Sequence, residues 1–225
     1  MIGIRNKAID ALRGLAVIFM MVFHVAVDLE DFYGYAVGYR EGLWSVFNNL
    51  IAIMFITVSG YTAAMGLGNR GKALLRLLTS ALLVSLATWF FDRAMVVRFG
   101  ILHFLFMANL LFPLFKDLKT PVLLMLSAGL FLAGQWIQTL VTSTYWLLFL
   151  GAAPKGFQTF DYYPLLPWLS FFLIGIVSQR YVKINYAGKN SFVGCCAFLG
   201  RHALLVYLVH QPLFLLFLYV ILGKI

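Results

Sequence analysis

The sequence has few charged residues and only two cysteines. Of its 225 residues 11% are charged, whereas a soluble domain has about a quarter. A soluble globular domain is therefore excluded. Cys195 and Cys196 are adjacent, so we expect neither a structural disulfide nor a metal site from them. Strand-like alternation is also lacking, which excludes a membrane β-barrel.

Apolar residues occur instead in runs close to twenty residues long. The composition is 63% hydrophobic and the mean hydropathy is +0.93. A helix needs about 20 apolar residues to cross a bilayer. We therefore predict an all-α, polytopic membrane helical bundle that forms a single domain over residues 1–225. About seven transmembrane helices are expected, at 8–28, 45–67, 73–91, 99–115, 121–139, 164–181 and 202–222.

The segment 140–153 is apolar but short for a span, and Pro154 ends it. We interpret it as a re-entrant or interfacial segment, and a full eighth span is the alternative.

The net charge of +9 follows the positive-inside pattern of short loops. We therefore interpret it as a topology signal and expect no nucleic acid partner. With a cytoplasmic N-terminus, most Lys and Arg residues fall on the cytoplasmic side. The opposite side then holds Arg40, Arg93, Arg98, Lys155 and Lys224.

The first predicted helix carries a polar stripe in an otherwise apolar segment. At about 100° per residue, Asp10, Arg13, His24 and Asp28 share one face. Asp10 and Arg13 are three residues apart and His24 and Asp28 are four apart, so each pair is spaced for contact. Arg13 and His24 are separated by about 16 Å of helical rise. Ionisable groups inside a span are costly, so the stripe is a functional hypothesis.

The stripe suggests two roles. Asp28 would orient the imidazole of His24 as a general base, and the planar guanidinium of Arg13 would bind a phosphate. The alternative is structural: Arg13 extends to the interface, and His24 forms a hydrogen bond with a neighbouring helix.

Five polar residues outside the first helix are further candidates, and each has a structural alternative. Asp92 and His103 flank the turn before the fourth span, where His103 could be an interfacial histidine. Asp161 suits the dipole at the start of the sixth span or a bound acceptor. Arg201 begins the last span, where anchoring competes with phosphate binding. His210 lies mid-span beside Pro212 and could satisfy backbone groups that the proline frees.

These segments resemble a known family. Residues 8–24, with Asp10, Arg13, Gly14 and His24, resemble the opening helix of the heparan-alpha-glucosaminide N-acetyltransferase catalytic-domain family. Residues 98–103, 161–168 and 201–212 are similar to later motifs of its bacterial members. The Arg-x₁₀-His spacing also resembles the first-helix signature of the wider group of transmembrane acyltransferases.

The resemblance implies acyl transfer across a membrane. Acetyl-coenzyme A or another acyl-coenzyme A would donate its acyl group from the cytoplasm to an extracytoplasmic sugar amine or hydroxyl of a glycan or glycolipid. Together with the polar stripe, it leads to the hypothesis that His24, as a general base or transient acyl carrier, Asp28 and His103 are the catalytic residues. Donor-binding residues would be Asp10, Arg13 and Arg201, and acceptor-binding residues would be Asp92, Asp161 and His210.

The sequence departs from the family in one place. The animal enzyme has more helices, and its proposed catalytic histidine lies in the loop after the first helix, where residues 33–40 of this sequence contain no histidine. The role of His24 therefore follows from the Arg-x₁₀-His pattern and the stripe.

The resemblance leaves open other functions, the membrane in which the protein lies and its partners. A small-solute or lipid transporter or flippase with the same stripe along its path is the rival function, and a non-catalytic scaffold is the third. We expect a bacterial inner membrane, with membrane lipid and the acceptor as partners, and leave a homodimer open.

Overall fold

The computed structural model describes residues 6–66, 68–184, 186, 188 and 190–223. Within these residues the chain forms eight helices and one pair of very short strands. The helices are α1 (Lys7–Asp31), α2 (Gly42–Met65), α3 (Arg70–Phe91), α4 (Ile101–Phe115), α5 (Thr120–Ile137), α6 (Leu165–Tyr181), α7 (Ser191–Arg201) and α8 (Ala203–Leu222). Strands β1 (Val141–Thr142) and β2 (Ala153–Pro154) pair in parallel.

Each of the seven predicted spans corresponds to a helix, but the predicted number of spans is not supported. Among the described residues, five helices are long and apolar enough to cross a membrane, namely α1, α2, α3, α5 and α8. Helices α4 and α6 are shorter, with 15 and 17 residues. The predicted end of the second span at Leu67 lies outside the described residues. The cytoplasmic N-terminus stays a prediction, and Arg5, Lys189 and Lys224, which bear on it, lie outside them as well.

Two features of the sequence interpretation need correction. Helix α7 was not predicted, because its 11 residues are too few for a span. The segment 140–153 is not an eighth span: it contains β1 and a series of turns that lead to β2.

The chain divides into two compact units, and the boundary between them falls within α2. The terminal unit comprises Arg5–Phe55 and Ile184–Ile225, and the central unit comprises Ile56–Lys183. A single functional domain over residues 1–225 stays a prediction.

In the terminal unit α1 and α7 lie unusually close together. Gly14 of α1 and Gly200 of α7 face each other, and a Cβ on Gly200 would lie 2.8 Å from the Gly14 nitrogen. Small residues of this kind allow two helix backbones to approach closely in a membrane protein. Asn6 begins α1 by accepting hydrogen bonds from the backbone N–H groups of Ala8 and Ile9. The Gly14–Gly200 contact and the Asn6 cap together hold α1, the helix that carries the polar stripe.

The core of the central unit is formed by α4, α5 and α6, with Phe104, Leu123, Phe172 and Leu173 fully buried. At one end of the unit, irregular segments are joined through their backbones. Phe160 N–H donates to Met95 C=O at 3.0 Å, Tyr163 N–H to Phe99 C=O at 2.9 Å, and Leu165 N–H to Phe149 C=O at 2.7 Å.

Candidate active site

The first half of the predicted stripe forms as expected. Arg13 Nη1 lies 3.3 Å from Asp10 Oδ1, which is the pairing that their three-residue spacing predicts. The Asp10 side chain is almost fully buried, whereas 27% of the Arg13 side chain is exposed. The guanidinium therefore lies at the edge of the unit, and its charge compensates a buried carboxylate.

The second half of the stripe differs from the prediction. Asp28 does not bond to His24: its Oδ1 accepts a short hydrogen bond from Gln211 Nε2 on α8. His24 instead stacks on His210, with ring centroids 4.7 Å apart and planes 10° from parallel. The predicted orientation of His24 by Asp28 is therefore wrong. Both residues find their partners on α8, in two consecutive residues.

The geometry assigns the tautomer of His210. Its Nδ1 lies 2.7 Å from the carbonyl oxygen of Tyr207, so Nδ1 carries the proton and donates it. Nε2 then bears a lone pair. Because Nε2 is buried and has no partner among the described residues, it can accept a proton or a hydrogen bond from a ligand.

In the described part of the chain, five buried side-chain nitrogen or oxygen atoms have no hydrogen-bond partner. All five belong to residues of the terminal unit. The atoms are His24 Nδ1, Asp28 Oδ2, Tyr33 Oη, His210 Nε2 and Gln211 Oε1. Each such atom costs about 1–3 kcal/mol. Native structures hold few of them, and a concentration in one unit indicates a functional site. We call these five residues the polar cluster.

Tyr33 lies on the segment after α1, which folds back onto the helix end, and its hydroxyl interacts electrostatically with the Asp28 carboxylate. Arg40 Nη2 lies 2.9 Å from Asp31 Oδ1, and the Tyr39 hydroxyl donates to Asp31 Oδ2 at 2.7 Å. Glu30 accepts from the backbone N–H groups of Gly38 and Tyr39. We call this segment, residues 32–41, the strap.

The three candidates of the central unit have structural partners there. His103 Nδ1 accepts from Gly100 N–H at 3.3 Å, and its Nε2 lies 3.2 Å from Ser85 Oγ, so both ring nitrogens are engaged. Asp161 Oδ2 accepts from Ile101 N–H at 2.8 Å. Asp92 Oδ1 accepts from Ala94 N–H at 2.8 Å in a tight turn.

These contacts correct one detail of the sequence interpretation. Asp161 caps the first turn of α4 rather than the start of α6, where Pro164 occupies the N-cap position. The contacts give Asp92, His103 and Asp161 structural explanations, and their roles in catalysis or acceptor binding stay predictions.

Arg201 lies in the last turn of α7, where its side chain is exposed and its Nε donates to Ala197 C=O at 3.2 Å. An exposed guanidinium at this position is accessible to a phosphate. Donor binding by Arg201 thus fits its exposure and stays a prediction.

Sequence reasoning missed Gln211 and Tyr33 as site residues. A glutamine in the middle of an apolar span was a usable signal for Gln211, since a buried amide requires partners. Tyr33 gave no such signal, because a tyrosine beside a predicted span is also typical of the membrane interface.

The cluster contains two histidines and a carboxylate, which are common metal ligands. Among the described residues, however, no group of three or more His, Cys, Asp or Glu side chains is arranged to hold a metal ion. The unpartnered atoms of the cluster are suited to proton transfer and to hydrogen bonding with an organic ligand.

Comparison with known proteins identifies the family. A family model described as "Heparan-alpha-glucosaminide N-acetyltransferase, catalytic" matches residues 5–212, which include every candidate named above. The resemblance inferred from the motifs is thereby confirmed. Neither the comparison with curated proteins nor the comparison with solved structures gave a match.

Proposed function

Because this chain belongs to the heparan-alpha-glucosaminide N-acetyltransferase catalytic-domain family, we propose that it is a membrane acyltransferase. It takes an acetyl or other acyl group from acyl-coenzyme A on the cytoplasmic side and transfers it to a sugar amine or hydroxyl on the other side. The acceptor is a glycan or glycolipid, and the membrane is a bacterial inner membrane.

The polar cluster is the single observation that carries this proposal beyond the family. Acyl transfer needs a base that removes a proton from the attacking amine or hydroxyl. His210 Nε2 bears a buried lone pair for this step, and His24 stacks against the same ring. Asp28 and Gln211 hold each other beside the two imidazoles and fix the positions of α1 and α8.

The donor phosphates would bind at the other end of α1. Arg201 is exposed and offers a guanidinium to a phosphate. The Nη1 atom of Arg13 donates to Asp10 Oδ1. A phosphate would therefore accept hydrogen bonds from the other guanidinium N–H groups of Arg13. His24, which stacks on the base His210, and Arg13 then lie about three helical turns apart on α1.

The test is acyl transfer by the full-length protein in proteoliposomes. Acetyl-coenzyme A is supplied on one side, with a glucosaminide that bears a free amine or a matching glucoside that bears only hydroxyls on the other. Release of the coenzyme A thiol is measured. We expect His210→Ala to lower kcat by about 10²-fold or more, the usual contribution of a general base. His24→Ala should also lower kcat, because it removes the ring that stacks on His210.

His202→Ala is the matched control. His202 is exposed, and its ring contacts Phe198 of α7 at a centroid distance of 4.8 Å, whereas His24 contacts His210. Its variant should keep the wild-type rate. Wild-type rates in folded His24→Ala and His210→Ala proteins would contradict the proposal. Glycoside uptake without acetyl-coenzyme A, and no thiol release with either acceptor, would instead identify a transporter.

A further inference from the structure

We propose that the hydroxyl of Tyr33 is the hydrogen-bond donor that stabilises the oxyanion formed from the acyl carbonyl during transfer. This inference rests on the proposed acyltransferase function. It adds a catalytic residue from the strap, outside the predicted helices, to the two histidines of α1 and α8.

The donors and acceptors of the polar cluster lead to this assignment. Asp28 Oδ2 and Gln211 Oε1 are acceptors, and His210 Nε2 is an acceptor because Nδ1 holds the proton. His24 Nδ1 takes either role, depending on its tautomer. Tyr33 thus supplies the one hydroxyl among the unpartnered buried atoms of the described residues. A developing negative charge on a carbonyl oxygen needs a donor of this kind.

The surroundings of Tyr33 keep its hydroxyl protonated. Desolvation raises the pKa of Tyr33 above its ordinary value of 10.0, and the nearby Asp28 carboxylate and Tyr219 raise it further. A phenol in such surroundings stays neutral at physiological pH, so it can donate a hydrogen bond but does not act as the base.

The strap orders the backbone on both sides of Tyr33. Backbone bonds from Phe32 N–H to Asp28 C=O and from Gly34 N–H to Glu30 C=O continue the end of α1 on both sides of Tyr33. Gly34 then adopts φ +72°, which turns the chain at little cost because glycine has no Cβ. The Asp31–Arg40 pair closes the strap. A donor held before the reaction needs no reorganisation when the oxyanion forms.

The step can be written with all atoms and charges in balance. The acceptor nitrogen or oxygen forms a bond to the thioester carbonyl carbon, while its proton moves to His210 Nε2. The carbonyl oxygen becomes an oxyanion and accepts the Tyr33 O–H hydrogen bond. The carbon–sulfur bond then breaks, the C=O bond re-forms, and the leaving thiolate takes the proton from the His210 imidazolium.

The test compares Tyr33→Phe with Tyr35→Phe in the full-length protein, with acetyl-coenzyme A and the glucosaminide as probes. Each change removes one hydroxyl and keeps the ring. Tyr35 lies two residues further along the strap and is 53% exposed. We expect Tyr33→Phe to lower kcat by about 10²-fold with little change in KM, because an oxyanion donor acts mainly in the transition state. Tyr35→Phe should retain the wild-type kcat.

The possible results separate this inference from the proposed function. A Tyr33→Phe protein within about twofold of wild type, or one in which only KM rises, overturns the role of Tyr33 and leaves acyl transfer standing. No turnover by the wild type overturns both. If Tyr33→Phe aggregates, 3-fluorotyrosine at position 33 takes its place. Its more acidic phenol should move the high-pH limb of the kcat profile to lower pH, and an unmoved limb overturns the inference.

Discussion

Gly200 lies where α7 meets α1, and replacing it by alanine tests this contact directly. The added Cβ would lie 2.8 Å from Gly14 N and closer still to the carbonyl carbon and oxygen of Asp10, all of them backbone atoms. Backbone atoms cannot turn aside as a flexible side chain does, so the two helices must separate. Overpacking of this kind costs about 1–3 kcal/mol. For a chain of this size, that lowers Tm by about 2–12 °C.

Gly194→Ala is the control within the same helix. A Cβ on Gly194 would meet no atom within 4 Å, so it adds no clash. Alanine is also a better helix former than glycine, by up to about 1 kcal/mol, so this variant should be as stable as wild type or more stable. The measurement is thermal unfolding of both variants in one detergent. A Gly200→Ala protein with the wild-type Tm, or an equal loss in Gly194→Ala, would refute the close packing of α1 on α7.

Two further predictions concern the polar cluster and the strap. Gln211→Leu removes the donor to the buried Asp28 carboxylate, so the free energy of unfolding should fall by about 1–3 kcal/mol. Gln138 is exposed, so Gln138→Leu should change the free energy of unfolding far less. Equal losses in the two variants would argue against the buried hydrogen bond. Burial and a hydrogen bond to Asp31 raise the pKa of Tyr39 from 10.0 to about 12. Neutral Tyr39 therefore contributes stability that is complete below pH 10 and is lost as the pH rises through 12. Denaturant unfolding across this range should show a decline that Tyr39→Phe reduces, and an unchanged decline would contradict the pKa shift.

The sequence was sufficient to locate seven of the described helices, although not to count those that span a membrane, because the length of an apolar run and its helical period are local properties. Residues 7–31, predicted as 8–28, illustrate this. Helix α7 could not be found in this way. Its 11 residues are too few for a span, and the contact that packs them on α1, through Gly14 and Gly200, joins segments far apart in the chain.

The site was predicted in part for the same reason. The Asp10–Arg13 contact depends on a spacing of three residues, and it forms. The four-residue spacing of His24 and Asp28 allowed a contact that the fold does not use, since each side chain meets α8 instead. Gln211 is 183 residues from Asp28, so no local rule could pair them.

The irregular backbone at one end of the central unit marks a depth in the membrane. Non-helical backbone exposed to lipid leaves N–H and C=O groups without partners, so such segments belong in the headgroup or aqueous layer. We therefore expect the turns of 138–164 at that level, where Tyr145 and Trp146, which are 54% and 83% exposed, suit an aromatic belt. On this expectation, the end of α5 and the start of α6 would lie at one surface of the bilayer.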